Sequence, residues 1–152
     1  MPLLQKFSVA GQLKSGLGNI GKDPTSVVFD KLNSATEGVV EGRTTILAGT
    51  NNYLGLTFDP ACIAAGVAAM QSQGTGTTGS RMANGSYAAH GALETELADL
   101  YQCSNAMVFS TGYAANLGVL TALLGKDDAV LLDSDAHASL YDGCRMSEAD
   151  IF

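Results

Sequence analysis

Tryptophan is absent from the sequence, cysteine is scarce and positive charge is low. Eight lysines and arginines against 15 aspartates and glutamates give a formal net charge of −7 at pH 7 over 152 residues, which argues against non-specific nucleic-acid binding. The three cysteines, Cys62, Cys103 and Cys144, form no CxxC pair, so neither a zinc site nor a disulfide framework is predicted. We therefore expect no metal site and a reducing, cytoplasmic compartment.

Long apolar runs and a signal-peptide pattern are also missing. The longest mostly apolar stretch, residues 114–124, is shorter than the about 20 residues that span a bilayer. The N-terminus shows no basic segment followed by an apolar one. What the sequence does contain is 46% hydrophobic residues, 15% charged residues and 18 glycines, which is typical of a globular protein with glycine-rich loops.

The first half of the chain predicts one hairpin and one helix after a weakly helical start. Residues 38–47 predict a β-hairpin that turns at Glu41 and Gly42. Asp59 precedes a proline, a pair typical of an N-cap and a first helical position, so a helix is predicted over 61–72.

The second half predicts alternating helices and short strands. Leu93, Leu97 and Leu100 recur at helical spacing, and the short apolar runs between the helices are typical of buried strands. The predicted order is helix 90–101, strand 106–110, helix 114–124, strand 129–132, a helix from 138 and a further strand from 149. Strand, helix and strand here have the size of one βαβ unit with a parallel strand pair.

The fold class predicted from this order is α/β. We assign residues 1–58 to an N-terminal arm and a small-domain hairpin segment, and residues 59–152 to the first part of a large α/β domain. A parallel sheet needs helices on both faces, and two or three strands with an apolar end would leave much surface uncovered. We therefore expect the chain to be the front part of a larger domain.

One predicted turn between a strand and a helix has the features of a phosphate site. Ser110, Thr111, Gly112 and Tyr113 follow the strand and open the helix, so free backbone N–H groups and the helix dipole meet there. His137 lies after the next strand, where an imidazole could serve as an aromatic platform or a proton carrier. Many such turns bind nothing, however, and a histidine before a helix can simply cap it.

Three other features allow both a functional and a structural interpretation. Residues 74–79 fit GxGxxG but follow a predicted helix, whereas a dinucleotide fingerprint follows a strand, so the alternatives are a flexible linker or a ligand-bordering loop. Arg81 offers a planar fork for a carboxylate or phosphate. Asn52 could orient a polar ligand group or make local turn contacts, and His90 at a helix start is expected to be structural.

Taken together, these segments resemble the α-oxoamine synthase family of pyridoxal-phosphate enzymes, over about residues 23–152. The motifs that carry the resemblance, in order, are 51–56 (NNYLGL), 74–81 (GTGTTGSR), His90 with Leu93-Glu94, 109–116 (FSTGYAAN) and 133–139 (DSDAHAS). Within the family the sequence is most similar to the bacterial serine palmitoyltransferase branch, through residues 57–60, 80–85 and 141–144. Branches that use other amino acids, such as glycine C-acetyltransferase and 8-amino-7-oxononanoate synthase, remain alternatives.

The resemblance implies a fold type I architecture and pyridoxal 5'-phosphate as cofactor. It implies that Gly112 and Tyr113, with Ser110 and Thr111, hold the cofactor phosphate. It also implies that His137 is catalytic, stacking on the pyridine ring and orienting the substrate. Asn52 and Arg81 would then border the substrate.

The resemblance further implies the reaction and the partners. The reaction is decarboxylative condensation of an amino acid, with L-serine favoured, and an acyl-CoA or acyl-carrier thioester. The complete enzyme would be a homodimer, and a lipid product would bring it near a membrane surface.

The family's Schiff-base lysine has no matching motif in this sequence. The five lysines are Lys6, Lys14, Lys22, Lys31 and Lys126, and none lies in the family's lysine motif. Lys126 follows the helix whose opposite end would hold the phosphate, about 16 Å away for eleven residues. We therefore expect no turnover by this chain alone. The alternatives are a piece of a working synthase, a non-catalytic short partner of a full-length one, or a generic α/β protein that binds a nucleotide or phosphate.

Overall fold

The computed structural model describes residues 8–18 and 27–152, which form two compact units, Met1–Gly76 and Thr77–Phe152. The predicted N-terminal arm lies partly outside the described residues. Assignment of residues 1–58 and 59–152 to two domains of a complete enzyme stays a prediction.

The N-terminal unit contains a helix, a small antiparallel sheet and a second helix. Its elements are α1 (Ser8–Gly18), β1 (Lys31–Leu32), β2 (Glu37–Val40), β3 (Arg43–Ile46), a 3₁₀ turn (Leu56–Phe58) and α2 (Pro60–Gln73). The strands pair in the order β1-β2-β3, and Val40 lies opposite Arg43. This register confirms the hairpin, whose turn residues Glu41 and Gly42 have φ angles of 50° and 73°. The sequence did not predict β1 or the 3₁₀ turn.

The start of α2 is set by its first residues. The side chain of Asp59 accepts a hydrogen bond from the Cys62 backbone N–H at 3.0 Å, and Pro60 occupies the first helical position, where the missing N–H costs nothing. The same hydrogen bond lowers the pKa of Asp59. The helix predicted over residues 61–72 is therefore confirmed with its N-cap.

The C-terminal unit contains three helices and one parallel strand pair. Its elements are α3 (Ala88–Tyr101), α4 (Gly112–Leu123), β4 (Ala129–Val130), α5 (Ala138–Met146) and β5 (Asp150–Ile151). β4 pairs with β5 in parallel, with Ala129 opposite Asp150. The predicted strands at 129–132 and from 149 are confirmed in shortened form. The predicted helices are also confirmed, and α3 and α4 each begin two residues earlier than predicted.

The strand predicted over residues 106–110 is wrong for this chain. The segment forms no strand ladder within the described residues, and side chains bind both backbone groups of Val108. The Val108 backbone N–H donates to Glu94 Oε1 at 2.9 Å, and its carbonyl accepts from Arg81 Nη1 at 3.3 Å. The βαβ unit centred on α4 is therefore not closed by these residues.

Helices α4 and α5 pack against each other and position the candidate site. Their contact depends on a glycine, since a Cβ atom at Gly143 would lie 2.6 Å from Leu120 Cδ1 and 3.3 Å from the Asn116 backbone oxygen. Gly118 similarly receives the ring of Phe109, whose Cε1 would lie 2.8 Å from an added Cβ. Close approach of the two helices brings the start of α5 beside the start of α4. In the described part of the chain, no helix is both long enough and apolar enough to cross a membrane.

Candidate active site

The start of α4 presents backbone donors that the described protein does not use. Thr111 is the N-cap, and its Oγ1 accepts from the Ala114 backbone N–H at 3.0 Å. Its carbonyl accepts from the Ala115 N–H at 3.0 Å. Within residues 8–18 and 27–152, no acceptor binds the backbone N–H of Gly112 or Tyr113. Two free donors at the positive end of a helix dipole are an arrangement that favours an anion.

The residues around these donors are open to solvent. A Cβ atom at Gly112 would meet no atom within 4 Å, and Ser110, Thr111 and Gly112 are exposed. The Thr111 hydroxyl accepts from Ala114 but keeps its own hydrogen for donation, and Ser110 adds a second hydroxyl beside it. The arrangement fits a group with several acceptor oxygens, as a phosphate has.

Tyr113 is fixed by an acidic residue on α5. Its hydroxyl donates to Asp142 Oδ2, and this hydrogen bond, together with burial and the negative charge of Asp142, raises the pKa of Tyr113. Arg145 lies 3.8 Å from the other oxygen of Asp142 and also over the ring of Tyr141. The tyrosine therefore spans from the start of α4 to the middle of α5.

His137 is the N-cap of α5 and lies beside Tyr113. The two ring centroids are 6.4 Å apart with an interplanar angle of 77°, an edge contact. The Nδ1 atom of His137 accepts from the Ser139 backbone N–H at 3.2 Å and lies 2.7 Å from the Ser139 hydroxyl. The imidazole is thus exposed on one side and anchored on the other.

A buried hydroxyl connects this imidazole to α4. Ser139 has no exposed surface, and its Oγ accepts from Asn116 Nδ2 at 2.8 Å. Asn116 lies one turn after Tyr113 on α4, so its amide and the Tyr113 ring both reach α5. Asn116, Ser139 and His137 form one hydrogen-bonded chain that crosses the helix contact.

Arg81 is held in the same unit by three acceptors. Its Nε donates to Ser86 Oγ at 3.0 Å, its Nη1 to the Val108 carbonyl at 3.3 Å and its Nη2 to Glu94 Oε1 at 2.9 Å. The Val108 N–H and the Arg81 charge both lower the pKa of Glu94. These contacts tie the loop after residue 77 to the segment that leads into the start of α4.

A cavity of about 650 Å³ lies beside this arginine. Its lining includes Arg81, Ser86, His90 and Ser110, so it extends from the glycine-rich loop to the turn before α4. His90 has its own role here, since its Nδ1 accepts from the Tyr87 backbone N–H at 3.0 Å at the start of α3. This contact agrees with a structural interpretation of His90.

Asn52 belongs to the N-terminal unit. Its Nδ2 donates to Thr57 Oγ1 at 2.8 Å and to the Ala35 carbonyl at 3.4 Å, and the side chain is partly buried. These are local contacts that hold the loop around residue 52. A role toward a substrate stays a prediction.

The structure brings together most of the residues predicted for the cofactor. Ser110, Thr111, Gly112 and Tyr113 surround the start of α4, with His137 beside them. Sequence reasoning gave no role to three residues that fix this arrangement, namely Asn116, Ser139 and Asp142. Asn116 and Ser139 stood within recognised motifs, but their pairing across 23 residues carries no local signal. Among the described residues, no cluster of three histidine, cysteine or acidic side chains could hold a metal ion.

Comparison with known families matches residues 43–152 to the family described as aminotransferase class I and II. The chain is 54% identical over 151 residues to a serine palmitoyltransferase of Caulobacter vibrioides, covering 99% of this chain and 37% of that protein. It is 46% identical over 111 residues to a putative 8-amino-7-oxononanoate synthase of Syntrophotalea carbinolica, covering 73% of this chain and 28% of the relative. The chain thus spans a little over one third of the length of its serine palmitoyltransferase relatives.

Solved structures of serine palmitoyltransferases share the fold. The S. paucimobilis protein with a bound PLP–myriocin aldimine superposes with a TM-score of 0.93 at 47% identity, covering 99% of this chain and 38% of that one. The Sphingomonas wittichii protein superposes with a TM-score of 0.92 at 49% identity, with the same coverage. The chain therefore has the fold of the matching portion of these fold type I transferases.

Proposed function

Because the chain belongs to the aminotransferase class I and II family, we propose that it carries the phosphate-binding part of a pyridoxal-phosphate enzyme that condenses L-serine with a long-chain acyl thioester. The product would be a 2-amino ketone, and CO₂ and the free thiol would leave. This is the reaction class of serine palmitoyltransferases and belongs to sphingolipid biosynthesis. The observation that carries the proposal is the pair of unused N–H donors at the start of α4 beside His137.

The residues at this helix start fit the phosphate of pyridoxal 5'-phosphate. The backbone N–H groups of Gly112 and Tyr113 would donate to phosphate oxygens, and the hydroxyls of Ser110 and Thr111 would add further donors. The open space at Gly112 favours the fit, because no protein atom crowds this residue. The Tyr113 hydroxyl donates to Asp142 Oδ2, and this contact fixes the side chain of the residue that supplies the second backbone donor.

His137 supplies the ring contact and an orienting donor. Its imidazole is exposed and projects from the N-cap of α5, where a flat ring can stack on a pyridine ring. When bound, the cofactor supplies the electron sink that allows the amino-acid carbon to carry negative charge. The Nε2 atom of His137 would donate to the substrate carboxylate and orient it, because Nδ1 is occupied by Ser139.

The C-terminal unit, which contains the candidate site, has a single lysine, Lys126. Lys126 follows the C-terminal end of α4, whose 12 residues extend about 18 Å from the phosphate end. Lys14 and Lys31 lie in the N-terminal unit, and Lys6 and Lys22 lie outside the described residues. We therefore expect the chain by itself to bind pyridoxal phosphate through non-covalent contacts and to release no ketone.

The alternatives are ordered by similarity. Identity to the serine palmitoyltransferases of C. vibrioides and Sphingomonas paucimobilis extends over nearly the whole chain, whereas identity to the putative 8-amino-7-oxononanoate synthase of S. carbinolica is lower and covers about three quarters of it. L-Serine is therefore our first choice of amino-acid substrate, and alanine or glycine would be the substrate if the chain belonged to another branch. Palmitoyl-CoA is the first acyl donor to test, with an acyl-carrier thioester as the second. A non-catalytic partner of a full-length synthase is the third alternative.

Assembly and location follow the same proposal. We propose that the complete enzyme is a cytoplasmic homodimer and that its lipid product brings it near a membrane surface. Asn52 and Arg81 would border the amino-acid substrate. The three donor contacts of Arg81 leave two of its five N–H groups for such a ligand.

A chimera tests the reaction directly. The equivalent 151-residue region of the C. vibrioides serine palmitoyltransferase would be replaced by this chain, since the two are 54% identical there. We expect the chimera to bind pyridoxal phosphate and to form ketone from L-serine and palmitoyl-CoA. The matched variant His137→Phe keeps a flat ring but removes both nitrogens, and it should lose most of the ketone formation while retaining the cofactor.

Three outcomes separate the alternatives. Preference for alanine or glycine over L-serine would move the chain to another branch of the family. A chimera that folds as a dimer but fails to bind the cofactor would contradict the phosphate site. Full activity of the isolated chain with L-serine would contradict the expected need for a lysine from elsewhere.

A further inference from the structure

We propose that Asn116 and Ser139 are positioning residues that hold His137 as the neutral tautomer with its proton on Nε2. The neutral imidazole has one donor and one acceptor nitrogen, and the partner of one nitrogen decides which of them carries the proton. In this structure the contacts of Nδ1 with Ser139 determine the tautomer. The inference rests on the proposed function only for the group that Nε2–H would bind, the substrate carboxylate.

The direction of each hydrogen bond follows from the donors available. Backbone N–H groups only donate, so the Ser139 N–H at 3.2 Å makes Nδ1 an acceptor. The Ser139 hydroxyl accepts from Asn116 Nδ2 at 2.8 Å and lies 2.7 Å from Nδ1. Its single hydrogen is therefore free to point at Nδ1. Two donors converge on this nitrogen, so the imidazole proton must lie on Nε2.

Because Ser139 is buried, its hydroxyl binds the protein groups beside it and not water. Ser139 has no exposed surface, so no water competes for its hydroxyl, and an unsatisfied hydroxyl there would be costly. Gly143 allows α5 to approach α4 closely enough for the Asn116 amide to reach Ser139. The exposed edge of His137 is consequently the Nε2–H edge, which suits a carboxylate or another acceptor on a substrate.

Imidazole nitrogen shifts measured by NMR on the full chain test the tautomer. The chain has two histidines, so selective ¹⁵N-histidine labelling gives two sets of signals, and His90→Gln assigns them. We expect His137 to show Nε2–H at a pH where the ring is neutral. In Ser139→Ala one of two donors to Nδ1 is lost, and the ratio of Nε2–H to Nδ1–H should fall about five- to tenfold, the factor for one ordinary hydrogen bond.

A second variant, Asn116→Asp, reverses the direction of the hydrogen bond between residue 116 and the Ser139 hydroxyl while residue 116 keeps its size. In Asn116→Asp the new carboxylate accepts from the Ser139 hydroxyl, so the oxygen lone pairs face Nδ1 and favour a proton there. The ratio should fall further than in Ser139→Ala. Ser147→Ala is the matched control, because it removes a hydroxyl from the other end of α5, where Ser147 Oγ donates to the Cys144 carbonyl at 2.7 Å.

The His90 signals serve as the internal reference for folding. His90 Nδ1 accepts from the Tyr87 N–H in α3, so its tautomer should be the same in every variant that folds. Nδ1–H as the main tautomer of the unaltered chain would overturn the proposal. An unchanged His137 ratio in both Ser139→Ala and Asn116→Asp, with His90 unaltered, would also overturn it. Neither measurement requires the cofactor, so failure here is distinct from failure of the proposed reaction.

Discussion

Acidic side chains fix the individual residues around the candidate site. Asp142 accepts from Tyr113, and Glu94 accepts from both Arg81 and the Val108 N–H. Sequence reasoning identified Tyr113 and Arg81 from motifs and placed their acidic partners in motifs too, but it did not predict the pairing. The partners lie 29 and 13 residues away, and a single sequence gives no signal for pairs at such distances. Residue types at a turn are predictable, whereas their long-range partners are not.

The Tyr113 hydroxyl is expected to titrate at a higher pH than an ordinary tyrosine. Asp142 accepts a hydrogen bond from the hydroxyl and repels the phenolate, so the pKa of Tyr113 is raised from the ordinary tyrosine value of 10.0. In Asp142→Asn the pKa should fall back toward that ordinary value. Ultraviolet pH titration of the chain, with the Tyr113→Phe curve subtracted to isolate one of five tyrosines, measures both. An identical Tyr113 curve in the unaltered chain and in Asp142→Asn would contradict the contact.

Glu94 is expected to stabilise the fold at neutral pH but not in acid. Its pKa in the folded state is lowered from about 4.5, first by the Val108 N–H and then by Arg81. Its contribution is therefore present above the unfolded pKa and is lost as pH falls through the folded one. Glu94→Gln should lower the urea midpoint at pH 7, and the difference should shrink below pH 4.5. The control is Glu96→Gln on the same helix at an exposed position, and an equal effect of both changes would argue against the prediction.

At the level of elements, helix starts and glycine contacts determine the site. Asp59-Pro60 marks the start of α2 in both the sequence and the structure, because capping is a local property. The turn before α4 was also predicted, although the helix begins at Gly112, two residues earlier than expected. The segment over residues 106–110 was predicted as a strand, since an apolar run shows burial but not a pairing partner. The α4–α5 contact at Gly143 was also missed, because nothing local distinguishes a packing glycine from a loop glycine.

Substitution of Gly143 tests the α4–α5 contact. A Cβ atom there would lie 2.6 Å from Leu120 Cδ1, so Gly143→Ala should reduce the free energy of unfolding by about 1–3 kcal/mol, as overpacking does. Gly91→Ala is the matched control in α3, where an added Cβ meets no atom within 4 Å. That change should stabilise by roughly 0.5–1 kcal/mol, the usual gain of alanine over glycine within a helix. Urea unfolding followed by circular dichroism measures both variants, and equal stability of the two would contradict the packing.

At the scale of the whole molecule, each unit exposes much apolar surface. Met82, Leu131, Tyr53 and Leu54 are more than four-fifths exposed, while Ala98 and Cys144 are the buried hydrophobic residues of the described part of the chain. The composition alone, with 46% hydrophobic residues, predicts a globular class but not which residues lie inside. Which residues are buried also depends on what covers the outer faces of each unit. The C. vibrioides relative is almost three times as long as this chain, so its further residues could supply such a cover.

The isolated chain is therefore expected to associate through these faces. Large exposed apolar areas promote association, so sedimentation velocity should show mass increasing with protein concentration, and a hydrophobic dye should fluoresce strongly. Leu131→Gln replaces one of the most exposed apolar side chains, just after β4, and should reduce both signals with little change in the urea midpoint. Addition of the complementary portion of the C. vibrioides serine palmitoyltransferase should reduce dye binding further, because its surfaces would cover these residues. A concentration-independent monomer that binds no dye would show that the chain buries its apolar surface unaided, and the need for covering partners would then be rejected.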